Sequence, residues 1–93
     1  MAKSILKYLV GMFKNKPLTE YAQYERVILK MGYESQGESR FEKETSTAMN
    51  VIWIMPAGIK VKVYANGYAE SDFYKYPIKN KESLIEFIRS NEA

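Results

Sequence analysis

The chain has no cysteine and no histidine. Together these absences exclude disulfides, thiolate nucleophiles, the usual zinc ligand sets and imidazole acid–base chemistry. No apolar run approaches the roughly 20 residues that a membrane span needs. The apolar stretch near the N-terminus is interrupted by Lys7, and no small-residue cleavage site follows it, so it does not read as a secretory signal. A cytoplasmic location is the expectation. The five glycines stand apart, at positions 11, 32, 37, 58 and 67, and form no phosphate-cradling loop. The carboxylate pairs Glu42/Glu44 and Glu70/Asp72 have lysines near them in the strands as read below. Raising a carboxylate pKa for acid–base work needs burial or an unneutralised like charge. Serines and lysines occur without a visible activating partner. The reading is of a protein that is not an enzyme, with no metal and no cofactor.

What is present fits one folded domain spanning residues 1–93. Hydrophobic residues make up 46% and aromatics 14%, which argues against disorder. A chain of this size buries roughly 60–70% of its unfolded surface, enough for one modest core. The net charge is +3, unevenly placed: residues 1–16 hold Lys3, Lys7, Lys14 and Lys16 with no acid. A basic end on a nearly neutral body hints at an anionic partner, although solubilising lysines account for it as well.

The centre of the chain, residues 50–76, predicts three antiparallel strands. Val51-Ile52-Trp53-Ile54-Met55 is β-branched and aromatic, and is bounded by Asn50 and Pro56. Ile59-Lys60-Val61-Lys62-Val63-Tyr64 alternates with the period of a half-buried strand. Tyr68 to Tyr76 is the third. Pro56-Ala57-Gly58 and Ala65-Asn66-Gly67 both end on Gly, which is the pattern of a three-residue hairpin loop with a left-handed last residue. These loops set Trp53 against Val61 and Val61 against Ser71. They gather Val51, Trp53, Met55, Ile59, Val61, Val63 and Phe73 on one face, where helices would cover them. The rival two-residue Asn66-Gly67 loop sets Val63 against Glu70 and Val61 against Asp72. Because a one-residue slip moves every side chain to the other face, we read the three-residue register.

Around this meander lie helical patterns. Ile5, Leu6, Leu9, Val10 and Phe13 recur at helical spacing over residues 3–14, with Lys3, Lys7 and Lys14 opposite. This basic amphipathic segment, 1–16, either packs on the sheet or serves as a docking arm. A second helix is expected from about Leu18 to Met31, with Gly32 as its left-handed ending and Tyr33 folding back on Ile28. Glu34 to Ser39 reads as an exposed loop, and Arg40 to Thr47 as a charged edge strand that pairs with 51–55. After Pro77, Asn80 is the expected cap of a last helix whose stripe is Leu84, Ile85 and Ile88. The fold class is therefore α+β: two N-terminal helices, a three- or four-stranded antiparallel meander sheet and a C-terminal helix. The helix–three strands–helix order is similar to that of double-stranded-RNA-binding domains. Those place a lysine cluster at the start of the last helix, where only Lys79 and Lys81 stand here, followed by Glu82. The likeness is one of topology, which carries no function.

The expected binding face is the second one, with Ile52, Ile54, Lys60, Lys62, Tyr64, Tyr68 and Tyr74 as its residues. Tyr is enriched at protein interfaces. The leading expectation is a small regulator or inhibitor that docks on another protein, an accessory protein of the kind that viruses and mobile elements encode. The alternative is a nucleic-acid-binding module that uses Lys60, Lys62, Tyr64 and Tyr68 with Lys3, Lys7 and Lys14, since aromatics beside lysines can stack bases and hold phosphates. Against it, the predicted register sets Glu70 and Asp72 beside the lysines. A homodimer through the same face is a third possibility.

Overall fold

The computed structural model describes residues 18–93. The predicted helix over 3–14, with Lys3, Lys7 and Lys14, lies outside the described residues. The observed order is α1 (Tyr21–Lys30), β1 (Glu34–Gly37), β2 (Arg40–Glu44), β3 (Met49–Met55), β4 (Gly58–Ala65), β5 (Tyr68–Lys75) and α2 (Lys81–Asn91). The strands form one antiparallel sheet in sequence order, β1-β2-β3-β4-β5. The α+β class holds, and the sheet has five strands rather than three or four. The added strand, β1, occupies the stretch read as a loop. Glu34, Ser35, Gln36 and Gly37 carry no β-forming side chain. They pair because Glu38 and Ser39 turn tightly, both in the left-handed region at φ 51° and 65°.

α1 begins three residues later than its periodicity predicts. Leu18 is drawn into a bridge with Ile78 instead, its N–H donating to the Ile78 carbonyl at 3.2 Å. Gln23 then caps the start, its Oε1 accepting from the N–H groups of Thr19 (2.9 Å) and Glu20 (3.0 Å). The helix ends as its sequence dictates. Gly32 takes φ 94°, and the N–H groups of Gly32 and Tyr33 reach back to the carbonyls of Leu29 and Ile28. α2 starts at Asn80, whose side chain accepts from the Ser83 N–H at 2.8 Å.

The register differs from the expected one at both central hairpins. Met55 pairs with Gly58, Ile54 with Ile59, Trp53 with Lys60 and Ile52 with Val61. Across the next hairpin Ala65 pairs with Tyr68, Val63 with Glu70 and Val61 with Asp72. Both connections are two-residue loops, Pro56-Ala57 and Asn66-Gly67. Asn66 and Gly67 have φ 51° and 77°, the type I′ turn whose twist matches the flanking strands. The pairing of Val61 and Val63 with acids carries little penalty, because β5 is an edge strand and Glu70 and Asp72 reach solvent.

This slip decides which face is buried. Phe41, Ile52, Ile54, Ile59 and Val61 point towards the helices and join Tyr24, Val27, Ile28, Tyr33, Leu84 and Ile88 in one core. Each such side chain, fully buried, stabilises the fold by about 1.5–3 kcal/mol. Val51, Trp53, Met55 and Phe73, expected on the helix-covered face, lie on the other one.

The core contains one buried polar side chain among the described residues, Asn50. Its amide donates to the carbonyls of Lys43 (3.3 Å) and Ala93 (3.0 Å), and its oxygen accepts from the Ala93 N–H at 2.8 Å. Asn50 thus ties the segment after α2 to β3. Beside it the Lys43 ammonium donates to Glu92 (2.7 Å) and to the Met31 carbonyl (3.3 Å). Tyr33 donates to the same Glu92 carboxylate at 2.7 Å, and its burial with that hydrogen bond holds its phenol pKa far above the ordinary value.

Candidate functional site

Both described helices lie on one face of the sheet. The face opposite is built from alternate residues of every strand, and the register sorts them into rows. One row runs Arg40, Trp53, Lys60, Phe73 across β2 to β5, a cation and an aromatic in alternation. The next runs Glu42, Val51, Lys62, Ser71, and the third Glu44, Met49, Tyr64, Ala69. Met55, Gly58 and Lys75 close the sheet at the other end.

The aromatic and cationic groups are organised among themselves. The Lys60 ammonium stands 5.7 Å from the centre of the Trp53 ring, and that of Lys62 stands 5.1 Å from the Tyr64 ring. Such cation–aromatic pairs contribute about 0.5–1 kcal/mol at exposed sites and pre-order both partners. Phe73 lies across Gly58, where an added Cβ would come within 2.8 Å of the ring edge and 2.1 Å of the Tyr74 carbonyl oxygen. Only glycine admits that approach. Tyr64, Met55 and Phe73 are exposed at 43%, 40% and 38%, large values for apolar side chains. Val51, flanked by Glu42 and Lys62, is buried.

Charge on this face is divided. Glu34, Glu42 and Glu44 stand at the β1–β2 side, with Arg40 held to Glu42 at 2.6 Å. Lys60, Lys62 and Lys75 stand at the β4–β5 side. Glu70 and Asp72, expected beside the lysines, are on the helix side of β5. Across β3, β4 and β5 the open face therefore carries no carboxylate.

Of the residues singled out from the sequence, Lys60, Lys62 and Tyr64 are brought together here. Ile52 and Ile54 are not: both are buried beneath the helices. Tyr74 also faces the helices, packed edge-on against Phe87 with ring centres 5.3 Å apart. Tyr68 pairs with Ala65 and so lies on the helix side, 78% exposed at the end of the hairpin. Trp53, Phe73, Met55 and Arg40 belong to the open face and were missed. The turn chemistry of Asn66-Gly67 was the signal that could have found Phe73.

A second concavity lies at the other end of the core, a groove of about 620 Å³ lined by Leu18, Tyr21, Tyr24, Ile54, Tyr76 and Pro77. The Tyr24 hydroxyl donates to the Leu18 carbonyl, and its ring leans on Tyr76 at 5.0 Å. Burial pushes the pKa of both phenols up, that of Tyr76 to about 12. Among the described residues the groove is lined by apolar and uncharged polar side chains, with no carboxylate, lysine or arginine. No helix among the described residues is long and apolar enough to cross a membrane. Comparison of the chain with protein-family models, with curated proteins and with solved structures gave no match.

Proposed function

We propose that the protein is a non-catalytic, cytoplasmic binding module, a regulator or inhibitor that docks on another protein through the open sheet face. The observation that carries this reading is the group of exposed large side chains, Tyr64, Met55 and Phe73, around the half-buried Trp53 on a face that neither described helix covers. Trp, Tyr, Met and Arg are the residue types enriched where proteins meet, and buried aromatic anchors carry most of the energy of such contacts. The pairing of Lys60 with Trp53 and of Lys62 with Tyr64 supports it, because pre-ordered side chains lose less entropy on binding.

A second reading is favoured by a separate observation. With Glu70 and Asp72 on the helix side, Lys60, Lys62 and Lys75 share the β3–β5 surface with Trp53, Tyr64 and Phe73 and no acid. That is a surface on which a single-stranded nucleic acid could stack its bases and rest its phosphates.

One experiment separates them. The tagged protein is used to capture partners from the source cell's lysate, with and without nuclease. The Trp53→Ala/Tyr64→Ala and Lys60→Glu/Lys62→Glu variants are run beside it. Docking on a protein predicts one partner retained after nuclease, lost with the aromatic variant and only weakly sensitive to salt. Nucleic-acid binding predicts loss on nuclease treatment, loss with the charge variant and a steep fall in affinity with salt. Retention of the same partner by both variants would overturn the sheet face as the site.

A further inference from the structure

The two edges of the sheet are unequal. β1 is four residues long, and its pairing with β2 is broken by an irregularity between Ser35 and Gly37. Such short, bulged edges discourage further strand pairing. β5 is neither short nor bulged, and its protection against self-pairing rests on charge alone. It is eight residues long, pairs with β4 in unbroken register and contains no proline. Every residue of it except Tyr74 is exposed.

The outward backbone groups of β5 can be assigned. The Tyr76 N–H donates to the Ala57 carbonyl at 3.0 Å, so the even-numbered positions of this strand turn their backbone towards β4. Ala69, Ser71, Phe73 and Lys75 turn theirs away. Consistent with this, the Phe73 N–H is met by the carboxylate of its neighbour Asp72 at 2.8 Å rather than by β4. The side chains alternate the other way. Those of Tyr68, Glu70 and Asp72 lie on the helix side, around a depression of about 570 Å³ floored by Val61 and Val63. Glu70 and Asp72 make no ion pair with any described residue.

We propose that the outer edge of β5, which pairs with no strand among the described residues, takes up an extended, cationic segment of another protein as an added strand. An added strand bonds to the outward N–H and C=O groups of Ala69, Ser71, Phe73 and Lys75, as in other cases of strand addition. Its alternate side chains then fall on the helix side, opposite Glu70 and Asp72, where lysine or arginine is the complement: the aliphatic stem covers Val61 and Val63 and the charge meets a carboxylate. Asp72 releases the Phe73 N–H to the incoming strand and turns to the cation. The same acids disfavour a second copy of this chain. The two antiparallel registers that use the whole strand set Glu70 against Asp72 of the second copy, or Asp72 against itself, and like charges directly opposite are destabilising.

The probe is a capped ten-residue peptide of alternating lysine and threonine, with the glutamate–threonine peptide as its control. Backbone amide exchange is followed by NMR. The lysine peptide is expected to slow exchange at Ala69, Ser71 and Lys75 by tenfold or more, and the glutamate peptide to leave it unchanged. Two variants extend the test. Ser71→Pro removes an outward donor without removing a bond to β4, and Glu70→Lys/Asp72→Lys reverses the charge. Both are expected to abolish the protection, while Trp53→Ala/Tyr64→Ala leaves it intact. That last arm separates this edge from the open face, whose own failure would leave the result unmoved. Unchanged exchange with 5 mM lysine peptide (~5 mM being weak for such contacts) overturns the proposal. So does equal protection by the glutamate peptide, or chemical-shift changes with no slowing of the three amides. If Ser71→Pro does not fold, the charge-reversed variant decides alone.

Discussion

The two faces of the sheet are made from nearly the same kinds of residue where they share β3. Ile52 and Ile54 point one way, Val51, Trp53 and Met55 the other, and all five are apolar. Yet Ile52 and Ile54 are core residues under two helices, while on the other side Met55 is exposed, Trp53 is half-buried beside a lysine and Val51 is buried between Glu42 and Lys62. Apolar content thus does not distinguish a core face from a binding face. The residues opposite do. On the buried side β3 meets Phe41, Ile59 and Val61; on the open side it meets Arg40, Glu42, Lys60 and Lys62. A face whose aromatics are bordered by charge is one that can be uncovered without aggregating.

The sharpest way to break this comparison is to truncate two residues on the buried side and one on the open side. Ile52→Ala removes a fully buried side chain from the core and is expected to cost about 2–5 kcal/mol, and Phe41→Ala about 3–5. Trp53→Ala, one position along the same strand, is expected to cost less, about 1–3 kcal/mol, from the part of the ring that is buried and its pairing with Lys60. Urea unfolding measures all three. An equal loss for Trp53→Ala and Ile52→Ala would mean that the open face is a second core, and the docking reading would go with it.

Why the faces were hard to tell apart in the sequence follows from β3 itself. An alternating strand such as β4 declares its faces, so Lys60, Lys62 and Tyr64 were legible as one surface. An all-apolar strand declares none, and its register is then fixed only by the loops. Pro56-Ala57-Gly58 and Ala65-Asn66-Gly67 each admit a two- or a three-residue reading, and the opposing acids Glu70 and Asp72 argued for the wrong one. They would be costly opposite valines in a central strand; at an edge they simply reach water. Signals confined to a few neighbouring residues are legible: Gly32 with Tyr33 as the ending of α1, Asn80 as the cap of α2, and the pairing of β2 with β3, although β2 stops at Glu44 and lies inside the sheet rather than at its edge. β1 was illegible because nothing in Glu34-Ser35-Gln36-Gly37 favours a strand. It exists through the left-handed turn at Glu38 and Ser39 and the partner that β2 offers.

The register that separates the faces can itself be probed at two glycines that differ in what they need. At Gly58 a methyl group would strike the Tyr74 carbonyl oxygen and the Phe73 ring, so Gly58→Ala is expected to destabilise by about 2–3 kcal/mol. At Gly67 no atom of the described residues lies within 4 Å of the added Cβ, but φ is 77°. Gly67→Ala should therefore cost only the strain of a left-handed alanine, about 1 kcal/mol. The ratio of the two costs tests the two-residue hairpins directly. In the rejected three-residue register both glycines would play the same left-handed role and lose similar amounts.

The helix side differs from the open side in one further respect, which has no effect at neutral pH. Tyr24, Tyr33 and Tyr76 all pack on that side, and burial raises the pKa of each. A phenol whose pKa is higher in the folded chain keeps its proton where the unfolded chain has lost it. Stability from such groups is whole below the unfolded value near 10 and declines as pH rises above it. For Tyr76, the decline runs from pH 10 to about 12, the value to which burial, followed by the neighbouring phenols of Tyr24 and Tyr21, pushes it. Urea midpoints measured at pH 9, 10.5 and 11.5 should therefore fall steadily. Tyr76→Phe removes one ionising group and should flatten that fall, though at pH 9 it costs the packing of a single hydroxyl. If the slope is the same in both proteins, Tyr76 ionises as readily folded as unfolded, and the groove it lines with Tyr24 is open to water.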